Sequence, residues 1–481
     1  MRERKPNILL IIMDTARAKS MSLYGHRNRT TPNLERIAEE ATVYRRCFTT
    51  AHWTTPSHAS LFSGLYPSEH GSYGDTHMAL NTQLALLPWV LKKHGYFTEC
   101  ISSNPFLSKK FNYDFGFDVT KNLVIRFDDM GAENVTRMVA GKKRTEQVID
   151  LIRYAFKERR LEDIFKAVLN WLDNPDKALE DSVPLTLRAR KKILKFLNSR
   201  RNDKTPWFLF VNFIQCHGKY NPPAPYRYKF AEKNLDIEKR IWKFNNLDYY
   251  AKKWTPSPDE SEYMHALYEG EILFLDSVIG GIYDFLVRSG SLDNTLLIIA
   301  SDHGEHFGEK GHFGHSFSIY NELFHIPLIV KYPYDINNSR ENYRLCQIND
   351  IYATVLDVLN SSLPAPDSSL SLIGSSQRNY ALLQGFHPRD SLTLMGLKRR
   401  NPHFDINDAS FKKSKIALIT DTLLKIIKYS DGGREIYDLN KDFYENHQLS
   451  DDNKEYEKFY KLLDRLSEES GWARIVSNFC F

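Results

Sequence analysis

Two aspartates, a histidine and a threonine have the types and settings to hold a divalent cation beside a nucleophile. Asp14 ends the apolar run Ile8 to Met13, and Asp302 follows a second run, Leu296 to Ala300. Short continuous apolar runs are expected of strands buried on both faces of a parallel sheet. Such sheets place ligands at the carboxyl ends of their strands. Both carboxylates are therefore expected at one sheet edge, with His303 beside Asp302. Thr54 lies in the run Trp53-Thr54-Thr55-Pro56-Ser57-His58-Ala59-Ser60-Leu61-Phe62-Ser63-Gly64. Thr55 is a good helix cap, Pro56 suits a first turn and Gly64 is a natural stop. Thr54 is then expected just outside a helix N-terminus, where free amides and the helix dipole favour an anion. Two carboxylates, one imidazole and one hydroxyl make a mixed oxygen and nitrogen site for one divalent metal ion.

The elements that must position these groups can be traced along the chain. Thr31-Pro32 caps a helix with Leu34, Ile37, Ala38 and Ala41 on one face, and Thr82 opens another through Leu91. Further buried strands are expected at Phe97–Ser102, Trp207–Phe213, Leu296–Ala300 and Pro327–Val330. Strands alternating with helices predict an α/β fold with a mostly parallel central sheet. Between about residues 120 and 200 lies a charge-rich helical insertion. In it Leu161, Ile164, Phe165, Val168, Leu169 and Leu172 follow helical spacing, and Arg188, Arg190, Lys191, Lys192 and Lys195 crowd the next helix. Near residue 361 the composition turns rich in serine and proline, which suggests a boundary between a catalytic domain over 1–360 and a C-terminal α+β subdomain over 361–481. There Lys415–Thr420 and Leu423–Tyr429 read as a hairpin, followed by Glu435–Leu439 and a final helix from Lys454 to Leu466.

Composition narrows the partners. A net charge of +5 on 481 residues gives no reason to expect a nucleic-acid partner. The five cysteines contain no CxxC pair and fit reduced thiols in the cytoplasm. The apolar run after the basic N-terminus is too short for a signal peptide, and no run is long enough for a membrane span.

Several motifs, in order, resemble the sulfatase family of the alkaline phosphatase superfamily. Besides the Trp53 to Gly64 run they are Ile12 to Arg17, Leu23-Tyr24-Gly25, Thr30 to Leu34, Phe208 to His217, Ser301 to Glu305, Gly308 to His315, and Tyr437-Asp438-Leu439. The resemblance covers nearly the whole chain except the insertion. It implies an alkaline phosphatase-like fold with Asp14, Asp302, His303 and the nucleophile position as metal ligands. In the family that nucleophile is a cysteine oxidised to formylglycine; the matching residue is Thr54. The family's second aspartate is Thr15, the arginine after its Pro-Ser is His58, and a lysine of many members is His315. Fewer carboxylates with a histidine suit Mn²⁺ or Zn²⁺, with Ca²⁺ or Mg²⁺ open. His217 and His315 match positions that contact the transferred group or the leaving oxygen, with His312 a weaker alternative, and histidine is able to protonate such an oxygen near neutral pH.

A threonine lacks the second oxygen by which a formylglycine hydrate expels sulfate. It is able to attack phosphorus as an alkoxide, as the resemblance implies for phosphodiesterase and phosphotransferase branches of the superfamily. The expectation is a metal-dependent hydrolase of phosphate, phosphonate or sulfate esters, with Thr54, His217, His315 and His58 catalytic. The substrate is expected to be a small-molecule or glycan-linked anionic ester. A transferase to a glycan or lipid hydroxyl and a non-catalytic binding protein are the alternatives.

Overall fold

A computed structural model describes residues 5–74, 77–124, 182–335, 340–386, 392–405, 413–450 and 453–477. Its strands, in chain order, are β1 (Asn7–Met13), β2 (Thr42–Phe48), β3 (Phe97–Ser102), β4 (Val119–Asn122), β5 (Trp207–Phe213), β6 (Thr295–Ala300), β7 (His306–Phe307), β8 (Phe313–Gly314), β9 (Leu328–Lys331), β10 (Glu341–Gln347), β11 (Tyr380–Gly385), β12 (Lys415–Thr420), β13 (Leu424–Tyr429) and β14 (Arg434–Asp438). The main sheet has the order β10-β2-β9-β6-β1-β5-β3-β4. All its neighbours run parallel except those of β9, which is antiparallel to β6 and β2.

β1 is buried along its whole length because it is central. Its alternate residues feed two cores. Leu9, Ile11 and Met13 join Leu209, Val211, Leu297 and Ile299 under the long helix Pro258–Arg288. Ile8, Leu10 and Ile12 join Phe208, Phe210, Leu296 and Ile298 on the other face, with Leu61 and Phe62 of the helix Thr54–Ser63. Helices on both faces explain why the central strands read as continuous apolar runs.

Two helix starts differ from expectation. The helix expected from Thr82 begins only at Leu87, since Pro88 lacks an amide hydrogen and fits just in a first turn. The nucleophile helix begins at Thr54 itself, with Trp53 in extended conformation at the cap position and Thr55 already inside. The segment carrying Leu161 to Leu172 lies outside the described residues. The helix Ser182–Ser199 buries Leu185, Ala189, Ile193 and Phe196 and exposes the basic side chains at 188, 190, 191, 192 and 195.

β11 to β14 form an antiparallel sheet in sequence order. One of its faces shares a core with Phe48, Leu323 and Phe324 near the main sheet. The other packs Ile416, Leu418 and Ile426 against Tyr460, Leu463 and Trp472 of the terminal helices. Among the described residues no helix is long and apolar enough to cross a membrane.

Candidate active site

β1 and β6 are adjacent and in register through Ile12 and Ala300, so the chain leaves both strands at the same edge. Asp14, Asp302 and His303 meet there, fully buried, with one ligand atom from each within 4.8 Å of the others. The turn after β6 is tied down on every side. Ser301 Oγ donates to the Met13 carbonyl at 2.7 Å, and Ser57 Oγ donates to the Asp302 carbonyl at 2.7 Å. The second bond fastens the nucleophile helix to the carboxylate turn. Arg17, fully buried, donates to the Glu305 carbonyl at 2.9 Å and to Glu309 at 2.7 Å, clamping the chain after Asp14 against the chain after Asp302.

The hydrogen bonds leave a specific set of atoms over. Asp14 Oδ2 accepts from Asn104 at 2.7 Å and from Asn212 at 3.1 Å; Asp302 Oδ1 accepts the Thr15 amide at 3.2 Å and the His303 amide at 3.0 Å. Asp14 Oδ1, Asp302 Oδ2 and Thr15 Oγ1 are buried without a hydrogen-bond partner among the described residues, and Asp302 Oδ2 lies 3.5 Å from both His58 Nδ1 and His303 Nε2. Burial first, and the Asp14 charge second, push the Asp302 carboxyl well above the usual range. His303 Nδ1 lies 2.9 Å from the Gly304 carbonyl, so it carries the hydrogen and leaves the Nε2 lone pair open. Burial holds that ring well below its ordinary pKa, hence neutral. Unmatched buried carboxylate oxygens beside a neutral imidazole, oriented through its second nitrogen, are a donor set that fits a divalent cation.

Thr54 Oγ1 lies 3.5 Å from His303 Nε2 and 3.5 Å from the Asn104 amide, at the lip of this set. His58, four residues on, directs Nδ1 to the Thr54 carbonyl at 2.9 Å and Nε2 to Asn212 at 3.4 Å. Burial lowers it to about 4, so it stays neutral with both nitrogens engaged. The His315 ring is centred 4.7 Å from that of His303 and 5.0 Å from that of His217. Burial alone would lower His315, but Glu305, 3.3 Å away, outweighs it and raises the ring above its ordinary value. His217 is half-buried at the outer end of this line. His312 lies elsewhere, packed on His306 and Tyr320.

Asn104 and Asn212 were not expected from the sequence. Asn104 follows β3, and Asn212 is the sixth residue of β5, paired with Ile12. Polar residues near the carboxyl ends of two strands close to β1 were the available signal.

A family model described as Sulfatase matches residues 6–361, and one described as N-sulphoglucosamine sulphohydrolase, C-terminal, matches residues 308–471. The chain belongs to the sulfatase family. It is an ester hydrolase of the alkaline phosphatase superfamily. An arylsulfatase of Clostridium perfringens is 25% identical over 386 residues, covering 76% of this chain and 78% of the relative. The multifunctional alkaline phosphatase superfamily protein PehA of Trinickia caryophylli is 26% identical over 410 residues, covering 75% and 73%. In fold, this sulfatase-family chain is similar to the phosphonate monoester hydrolase of Agrobacterium radiobacter, with a TM-score of 0.70 at 18% identity over 97% of this chain and 96% of that one. A protein solved in complex with its substrate D-glucosamine-2-N,6-O-disulfate gives a TM-score of 0.65 at 18% identity, over 98% of each chain.

Proposed function

We propose that the chain is a metal-dependent hydrolase in which Thr54 is the nucleophile, and that it cleaves phosphate or phosphonate esters in preference to sulfate esters. The observation that carries this is the Thr54 hydroxyl 3.5 Å from the open nitrogen of His303, beside the unpartnered oxygens of Asp14 and Asp302. Asp14, Asp302, His303 and Thr54 would hold the ion, and Mn²⁺ or Zn²⁺ suits their chemistry. Bound there, it would supply Lewis-acid charge and lower the pKa of the nucleophile.

The side chains divide the remaining work. Asn104 holds Asp14 and lies beside Thr54, fixing the nucleophile against the carboxylates. The bond from Thr54 Oγ to phosphorus forms as the bond from phosphorus to the leaving oxygen breaks. His315, raised above its ordinary pKa by Glu305, gives that oxygen its proton, the hydroxyl proton of Thr54 passes to solvent, and His217, beside His315, contacts the transferred group. Water then attacks phosphorus, its proton passing to the now neutral His315, as the bond from phosphorus to Thr54 Oγ1 breaks and that oxygen regains a proton from solvent, releasing phosphate or phosphonate. Thr54 has no second oxygen with which to expel sulfate as a formylglycine hydrate does, so release depends on water attack at the transferred group, a step established for phosphorylated enzyme intermediates. The substrate class is a small-molecule or glycan-linked anionic ester. The four described cysteines are buried free thiols, which supports a cytoplasmic setting.

The test is a panel of aryl phosphate, phosphodiester, phosphonate and sulfate esters, each with Mn²⁺, Zn²⁺, Ca²⁺ and Mg²⁺. The phosphorus esters are expected to turn over and the sulfate to lag by at least about 10²-fold in kcat/KM, roughly 3 kcal/mol. Sulfate turned over fastest would reverse the assignment.

A further inference from the structure

We propose that a second cleft, apart from Thr54, binds an anionic sugar: a hydroxylated ring carrying a sulfate, phosphate or carboxylate group. The cleft has a volume of about 370 Å³ and lies between the β10–β2 edge of the main sheet and the β12–β13 turn of the small one. β9 and β6 stand between β2 and β1, whose end carries Asp14, so the two sites occupy different parts of the sheet edge.

The lining is rich in donors and poor in acceptors. Arg344 forms a fixed wall, donating to the carbonyls of Gly374 at 3.2 Å, Ser376 at 3.3 Å and Ser371 at 3.1 Å. Arg378 at the base is matched by Asp350. Arg46 is different. Its guanidinium has no acceptor among the described residues and lies 5.8 Å from the ring centre of Tyr343, a side chain 56% exposed. The nearby Glu341 does not neutralise it, because that carboxylate is taken by Arg45 and the Tyr343 hydroxyl. Ser375 and Gln377 add exposed hydroxyl and amide groups, against the single lining carboxylate of Asp421.

A guanidinium with free N–H groups recognises a sulfate, phosphate or carboxylate oxygen. An exposed tyrosine face beside it accepts the apolar side of a sugar ring, and the serine and glutamine suit ring hydroxyls. A flat apolar ligand would leave the free donors unmet, and a cation would meet Arg46.

The experiment is calorimetric titration of glucose 6-sulfate into the full chain carrying Thr54→Ala, which removes turnover. Adding Arg46→Gln, or separately Ser375→Trp to fill the cleft, is expected to weaken one binding event at least tenfold. Arg46→Gln alone is expected to leave hydrolysis of a small aryl ester unchanged, which shows the fold and the Thr54 site intact. An identical isotherm in the doubly substituted chains would overturn the proposal. Glucose binding as tightly as its sulfate would overturn the anionic part, and inorganic sulfate binding as tightly would overturn the sugar part.

Discussion

Thr54 owes its setting to groups with no reactive chemistry of their own. Asn104 and Asn212 share Asp14 Oδ2, and Asn104 also reaches Thr54. Outer partners of this kind fix the direction of a ligating carboxylate. Asn104→Ala is therefore expected to weaken metal activation by about 10- to 100-fold while leaving the fold intact, read as the metal concentration at half-maximal rate. An unchanged metal dependence would remove Asn104 from the site. Neither asparagine was legible in the sequence, because a neutral amide at a strand end has no spacing signature. That Asp14, Asp302 and His303 meet at one sheet edge was legible because both aspartates follow continuous apolar strands and His303 adjoins the second. That both nitrogens of His58 are occupied, by the Thr54 carbonyl and Asn212, was not legible in the sequence.

The elements that matter most are the turn after β6 and the helix Thr54–Ser63, joined through Ser57 and Asp302. Gly304 lets that turn pass against a neighbouring segment. A Cβ on it would come within 2.0 Å of the Glu322 carbonyl oxygen and 2.9 Å of Arg17 Cβ. Backbone cannot yield as a side-chain tip can, so Gly304→Ala is expected to cost about 3 kcal/mol or more in urea unfolding. Wild-type stability in that variant would show the turn to be looser than described. Strands β1, β5, β6 and β9 were readable from their apolar runs, and β3 from a more mixed one. β2 and β10 were not, since Thr42-Val-Tyr-Arg-Arg-Cys-Phe and Glu341-Asn-Tyr-Arg-Leu-Cys-Gln mix charge into the edge strand β10 and its inner neighbour β2, whose arginines are only half-buried. Pro88 was visible in the sequence, yet its power to delay the helix start past Thr82 was missed.

Across the molecule, buried neutral histidines set the response to acid. Burial lowers His70 to about 3, His325 to about 4, and His312 to about 3 with a further push from His306. An unfolded histidine takes its proton near pH 6.5. Between that value and about 4 the unfolded chain therefore binds more protons, and stability falls as pH drops. Each histidine contributes up to about 1.4 kcal/mol per pH unit in that window. Asp276, raised by burial to about 6, acts the other way, as do Glu69, Asp302, His315 and Glu445, against seven lowered histidines among the described residues that also include His52, His58, His265 and His303. The urea midpoint is expected to fall between pH 7 and pH 5, and His70→Gln is expected to make that fall shallower. A midpoint constant over that range would contradict the account.

The central claim is that Thr54 forms a bond to phosphorus. Its most direct test is acid quenching of the enzyme during turnover of an aryl phosphate, followed by mass spectrometry of the peptide spanning residues 46–65. A phosphoryl group on Thr54, absent from the Thr54→Ala chain whose turnover falls at least about 10³-fold, is the expected result. Full activity in Thr54→Ala, with no phosphorylated threonine at any quench time, would contradict it.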